Sequence, residues 1–124
     1  MIDKPQKQGG IKYDAEKPRM DLIDPYAEDM LARALTFGAS KYSDHNWRNG
    51  MAYSRLIASG KRHINRFAAG EDMDPESGLP HLAHAMACIM FLLATTKYRP
   101  DMDDRWFTQV RNNSAEESKL SCGK

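Results

Sequence analysis

The sequence predicts an all-α fold, a small bundle of three main helices plus a short C-terminal one, completed by oligomerisation. Two segments carry apolar residues at helical spacing, a third is apolar nearly all round, and no stretch holds the two-residue alternation of a strand. At 124 residues the chain fits one domain, and its apolar share is enough for one core.

Residues 1–24 read as an extended arm. Gly9, Gly10, Pro5 and Pro18 interrupt any regular element, and only Ile11, Tyr13, Met20, Leu22 and Ile23 are available to anchor it. The helical domain then spans 25–111. Asp24 is placed to cap the first helix, Pro25 suits its first turn, and Glu28 and Asp29 complement the positive end of the dipole. Met30, Leu31, Ala34, Leu35 and Gly38 continue the period to about Tyr42. The aperiodic stretch from Ser43 to Gly50 holds Trp47, so it reads as a structured loop.

A second helix is expected from Tyr53 to Ala69, with Leu56, Ile57, Gly60, Ile64 and Phe67 on its apolar side and Gly70 as the stop. Gly60 on that side predicts close approach of another backbone. Glu71, Asp72, Asp74 and Glu76 crowd one loop before Pro80 opens a third helix running to about Tyr98. Because that helix is apolar on every side, it belongs at the centre of a bundle or in a subunit interface. A short amphipathic piece from Asp104 to Val110 follows, and 112–124 reads as a flexible tail.

Composition excludes several classes of function. The 18 Lys and Arg residues nearly balance the 17 Asp and Glu residues, so no bulk field favours duplex nucleic acid. The longest apolar run, Leu82 to Ala94, is too short to span a bilayer, and Met1 to Gly10 has no apolar h-region. Cys88 in an apolar run and Cys122 in a polar tail read as reduced thiols, which makes a cytoplasmic protein the expectation.

The candidate chemistry collects on two helices and two loops. His81, His84 and Cys88 share one face of the third helix and point at the same neighbour. Two histidines a turn apart suit a divalent metal, with Glu71, Asp74 or Glu76 supplying oxygen ligands; the alternative is a pair of buried, hydrogen-bonded structural histidines. The loop is no EF-hand, since Ser77 stands where that motif needs glycine and Ala83 where its last glutamate belongs. His63 borders the apolar stripe of the second helix beside Arg62 and Arg66, which could hold phosphates; the alternative, which the residues alone favour, is an ordinary basic surface with a partly packed histidine. The loop from Lys41 and Tyr42 to Asn46, Trp47 and Arg48 combines a cation, two aromatics and an amide, a set able to stack a base, read its edge and grip a phosphate; the commoner use of such aromatics is to cap the core. Lys12, Lys17 and Arg19 on the arm could close over a polyanion.

Lys12-Tyr13-Asp14, Lys17-Pro18-Arg19, Thr36-Phe37-Gly38-Ala39, Lys41-Tyr42, Asn46-Trp47, Arg62-His63, Gly70-Glu71-Asp72, Asp74-Pro75-Glu76, Gly78 and His81 with His84-Ala85 appear in one running order. In this the sequence resembles the phage dATP/dGTP diphosphohydrolase N-terminal family, over roughly residues 11–98. The family is associated with MazG-like, all-α nucleoside triphosphate pyrophosphohydrolases, which use magnesium or manganese and assemble as dimers or tetramers. The resemblance therefore implies a purine nucleotide, Mg2+ or Mn2+, and a homo-oligomer. MazG enzymes hold their metals with an ExxE pair and an ExxD pair on successive helices. This chain has no ExxE, and its one ExxD, Glu71 to Asp74, lies in a loop.

Two readings follow. The first is a metal-dependent hydrolase that converts purine (deoxy)nucleoside triphosphates to monophosphate plus pyrophosphate. Glu71, Asp74 and His63 would be catalytic; Glu71, Asp74, Glu76, His81 and His84 would hold the metal; Lys12, Lys17, Arg19, Lys41, Tyr42, Asn46, Trp47, Arg62 and Arg66 would bind substrate. The second is a phage protein that binds and sequesters a nucleotide or a nucleotide immune signal without turnover.

Overall fold

The computed structural model describes residues 9–122, with side chains described through residue 117. Four α-helices make up the fold: α1 Pro25–Lys41, α2 Tyr53–Ala68, α3 His81–Tyr98 and α4 Trp106–Cys122. The all-α expectation holds among the described residues, where the nearest thing to a strand is a single antiparallel bridge between Met73 and Pro80.

Local chemistry sets the helix ends as the sequence predicts. The Asp24 carboxylate accepts from the Ala27 backbone N–H at 2.9 Å, which caps α1. Gly70, with φ +98°, ends α2 in a backbone region that few other residues enter. The α2 N-terminus departs from the usual pattern: Ala52 offers no capping side chain. Asp104, from the segment before α4, takes over that role. It accepts from the Ser54 backbone N–H at 2.9 Å and from the Ser54 hydroxyl. These two bonds favour the ionised form and lower the pKa of the Asp104 carboxyl.

α2 and α3 pack as an antiparallel pair. A Cβ added to Gly60 would stand 3.3 Å from the Cys88 Cβ, so the close approach predicted for this glycine is made to α3. Two turns away along both helices the Tyr53 hydroxyl donates to the Thr95 carbonyl at 3.3 Å. α1 lies across α3, burying Ala34 against Ala83 and Ala87, with Met30, Leu31, Leu35, Leu79 and Phe91 around them. Small residues at this seam let the backbones approach and leave α3 between two helices.

The C-terminal helix is longer than predicted, a full α4 of Trp106–Cys122 in place of a short piece ending at Val110. Ala115, Glu116 and Glu117 are strong helix formers and carry the backbone through the weaker Asn112 to Ser114. The first eight residues of the predicted arm, and the side chain of Cys122, lie outside the described residues. From Gly9 to Ile23 the arm is exposed throughout, and its only regular element is a 3-10 turn at Met20–Leu22.

Candidate functional site

The site grows out of the α2–α3 seam at the end away from Tyr53. One turn beyond the Gly60–Cys88 contact, His63 of α2 and His84 of α3 stack, with ring centroids 4.9 Å apart at 20°. One turn further along α3 comes His81, whose Nδ1 lies 2.9 Å from the Nδ1 of His63. The prediction that His81, His84 and Cys88 face one neighbour is met, and the neighbour is α2.

The acidic loop folds back onto this end. The Asp74 N–H donates to the Leu79 carbonyl at 2.8 Å, the Gly78 N–H to the Asp74 carbonyl at 2.8 Å, and the His81 N–H to the Asp72 carbonyl at 2.9 Å. Gly78, with φ +72°, permits the reversal. The winding brings Asp74 Oδ2 to 3.5 Å from His84 Nε2. The Ser77 hydroxyl sits between them, 2.6 Å from His84 Nε2 and 3.4 Å from Asp74 Oδ2.

Hydrogen bonding sets the state of the histidines. A carboxylate only accepts, so the 2.7 Å contact between Glu71 Oε1 and His81 Nε2 places a proton on that nitrogen. The two Nδ1 atoms share a hydrogen bond, so one of these rings donates to the other. Burial lowers the pKa of His63, and the charge of His84 adds to the effect. His84 is likewise lowered by burial, against a smaller opposing pull from Asp74. These shifts favour the neutral form of His63 and His84, the form that ligates a metal.

His63, Asp74 and His84 form the group of potential metal ligands among the described residues, with one donor atom from each lying within 4.8 Å of the others. Donors this close together could reach a single divalent ion after modest side-chain movement. Two imidazoles and a carboxylate suit a first-row transition ion better than Mg2+, which favours an all-oxygen shell.

The sequence-derived set is thus redistributed. Asp74 and His84 are in the cluster, joined by His63. His81 is buried and has both ring nitrogens engaged, with His63 and Glu71, so Glu71 reaches the cluster through it. Glu76 is drawn away by Lys41, whose ammonium donates to Oε1 at 2.6 Å, tying the end of α1 to the loop.

Beside this centre lies a cleft of about 800 Å³. Tyr42, Asn46, Trp47 and Arg62 line it, as the sequence suggested. Lys12, Lys17, Arg19, Lys41 and Arg66 are not among its lining residues, and Arg19 is instead paired with Asp21 at 2.6 Å. Trp47 stacks on Phe91 with centroids 5.1 Å apart and carries the Arg48 guanidinium 4.4 Å from its ring centre. It is thus a wall of the cleft, anchored to α3. Arg48, Arg55 and Ser59 also line the cleft, and Ser77 completes the centre. Of these, Arg48 belongs to the loop that the sequence singled out, while sequence reasoning left out Arg55, Ser59 and Ser77. For Arg55, Ser59 and Arg62 the signal was present, since their spacing puts them on one helix face.

The described residues thus form a helical domain with a histidine–carboxylate cluster beside an arginine-lined cleft. The chain belongs to the dATP/dGTP diphosphohydrolase N-terminal family, whose model matches residues 7–105. It is similar to a dATP/dGTP diphosphohydrolase of Salmonella phage PMBT28, 41% identical over 102 residues that make up 82% of this chain and 35% of the relative. The chain therefore spans about a third of the length of that relative. No solved structure matches it significantly. No helix among the described residues is long and apolar enough to cross a membrane.

Proposed function

We propose that this domain hydrolyses purine (deoxy)nucleoside triphosphates to monophosphate plus pyrophosphate, with a divalent transition ion held by His63, Asp74 and His84. The observation that carries the reading is the convergence of those three donors next to a nucleotide-sized cleft. The name of the phage relative supports the substrate class. A metal bound there supplies Lewis-acid polarisation of a phosphate oxygen and a more acidic water.

The chain's own residues do the rest. His81 and Glu71 hold the His63 ring in place. The half-exposed Glu71 carboxylate is the nearby group open to a water proton, its side chain being 43% exposed. Water attacks the α-phosphorus, the bond from that phosphorus to the oxygen bridging toward the β-phosphorus breaks, and pyrophosphate leaves with the electron pair. Asn46, Tyr42 and Trp47 line the part of the cleft where a base would sit.

The all-round apolar α3 leaves Ile89 57% and Leu93 72% exposed, which supports a second copy of the chain as the cover of that face and hence a homo-oligomer. Equilibrium sedimentation of the purified chain, alone and as Leu93→Glu, tests this: a dimer or larger that falls to monomer supports it.

The activity is tested by incubating the protein with dATP or dGTP and Mn2+ or Mg2+ and resolving products by anion exchange. Monophosphate and pyrophosphate, formed faster with Mn2+, are expected. Intact nucleotide despite tight binding refutes hydrolysis and leaves a sequestering protein.

A further inference from the structure

We infer that Arg55, Ser59 and Arg62 of α2, with Arg48 opposite, form a polyphosphate-binding row that leads along the cleft to the histidine centre. This deepens the nucleotide reading by naming the groups that grip the phosphates, and it stands on different residues from the metal cluster.

The first observation is placement. Arg55, Ser59 and Arg62 follow one another at four and three residues, so they line one face of α2 over about 10 Å of helix, and all three border the cleft. Arg62 precedes His63 in the chain, and Cys88, also on the cleft wall, is one turn from His84. The inner end of the row therefore abuts the centre on both helices. Its outer end faces the loop that supplies Asp44, His45, Asn46 and Arg48.

The second observation is charge. Arg19, Arg33, Arg99 and Arg105 are each paired with an aspartate, and none of them lines the cleft. Among the described residues no carboxylate lies in ion-pair distance of Arg48, Arg55 or Arg62. Arg66 and Arg111 share that state but lie off the cleft. Asp44 is the one carboxylate of the wall, against three guanidinium groups. Arg48 is steadied by the Trp47 ring and by its Nε bond to His45 Nδ1 at 3.3 Å, contacts that hold its charge in place without cancelling it. Guanidinium groups at such spacing, with a hydroxyl between two of them, match the oxygens of a linear polyphosphate.

The test is calorimetric titration of the full chain with inorganic tripolyphosphate in EDTA, so that neither the base nor the metal contributes. Arg55→Gln and Arg62→Gln should each weaken binding about tenfold or more, as expected for loss of a charge-assisted hydrogen bond, while Arg111→Gln, which removes an equal charge elsewhere, stays within about twofold. Thermal melts unchanged from the parent protein would show that the exposed substitutions leave the fold intact. Absence of tripolyphosphate binding by the parent protein, or equal loss in all three variants, overturns the proposal. Mn2+ titrated separately should bind Arg55→Gln as it binds the parent. A protein that binds tripolyphosphate through this row yet releases no pyrophosphate refutes the hydrolase reading and leaves the row standing.

Discussion

His63 and His81 meet Nδ1 to Nδ1 at 2.9 Å, and the far nitrogen of His81 is held by Glu71 at 2.7 Å. The contact joins α2 to the start of α3. It also separates two roles that the residue types alone do not distinguish, a histidine that holds another in place and a histidine that belongs to the potential ligand group.

Substitution should separate those roles. His63→Ala and His84→Ala each remove a donor of the cluster and should abolish stoichiometric Mn2+ binding in calorimetry along with pyrophosphate release. Glu71→Gln retains an acceptor for His81 but loses the charge. Turnover should fall about ten- to a hundredfold, with Mn2+ still bound. Unimpaired Mn2+ binding by both histidine variants would place the metal elsewhere.

Stability should fall as pH drops below 6.5. Both His63 and His84 have their folded pKa lowered from the ordinary value of 6.5, chiefly by burial. Between that value and the depressed folded ones the unfolded chain binds protons that the folded chain refuses, so protonation favours unfolding. Above 6.5 the histidine contribution is fully present and flat. Urea midpoints measured from pH 5 to pH 8 check this, and His63→Gln should flatten the slope. A midpoint that rises on acidification through this range contradicts the assignment.

Gly60→Val should cost about 1–3 kcal/mol, because its Cβ starts 3.3 Å from Cys88 and the added methyls have no room at a buried seam. Since His63 and His84 lie a turn away, Mn2+ affinity should fall with stability. Cys88→Ala in the same chain relieves part of the overlap, and recovery of the urea midpoint would trace the effect to that contact.

Gly50→Ala should destabilise the cleft-lining loop by about 1–3 kcal/mol, since φ there is +104° and an added Cβ would meet the Arg99 guanidinium at 2.7 Å. That guanidinium donates to the Asn49 carbonyl at 2.7 Å and fastens the loop to the end of α3. Protease sensitivity between Ser43 and Gly50 should rise in the variant, and an unchanged digestion pattern would argue against the fastening role.

Much of the fold was legible because its signals are local. Asp24-Pro25, Gly70 and Pro80 set helix ends through hydrogen bonds and dihedral limits within a few residues, and the apolar period located α1 and α2. Gly60 on an apolar stripe announced a close helix contact, and the shared face of His81, His84 and Cys88 announced a common neighbour. Asp104 as the cap of α2 was not legible, because its partner Ser54 lies far off in the chain. The sharing of roles in the acidic loop was hidden for a similar reason: Asp74, Glu71 and Glu76 are equivalent as residue types, and only the winding of the loop sends one to His84, one to His81 and one to Lys41.

By itself, then, the sequence determined the helical class, the boundaries of α1, α2 and α3, the family and the pool of residues from which a site is built, because these depend on short-range chemistry and running order. Tertiary structure alone decided that His63 joins Asp74 and His84, that His81 supports His63, and that Arg55, Ser59 and Arg62 border a cleft. Those outcomes depend on the register between α2 and α3, which close packing of Gly60 against Cys88 sets, and a register between distant segments has no local code.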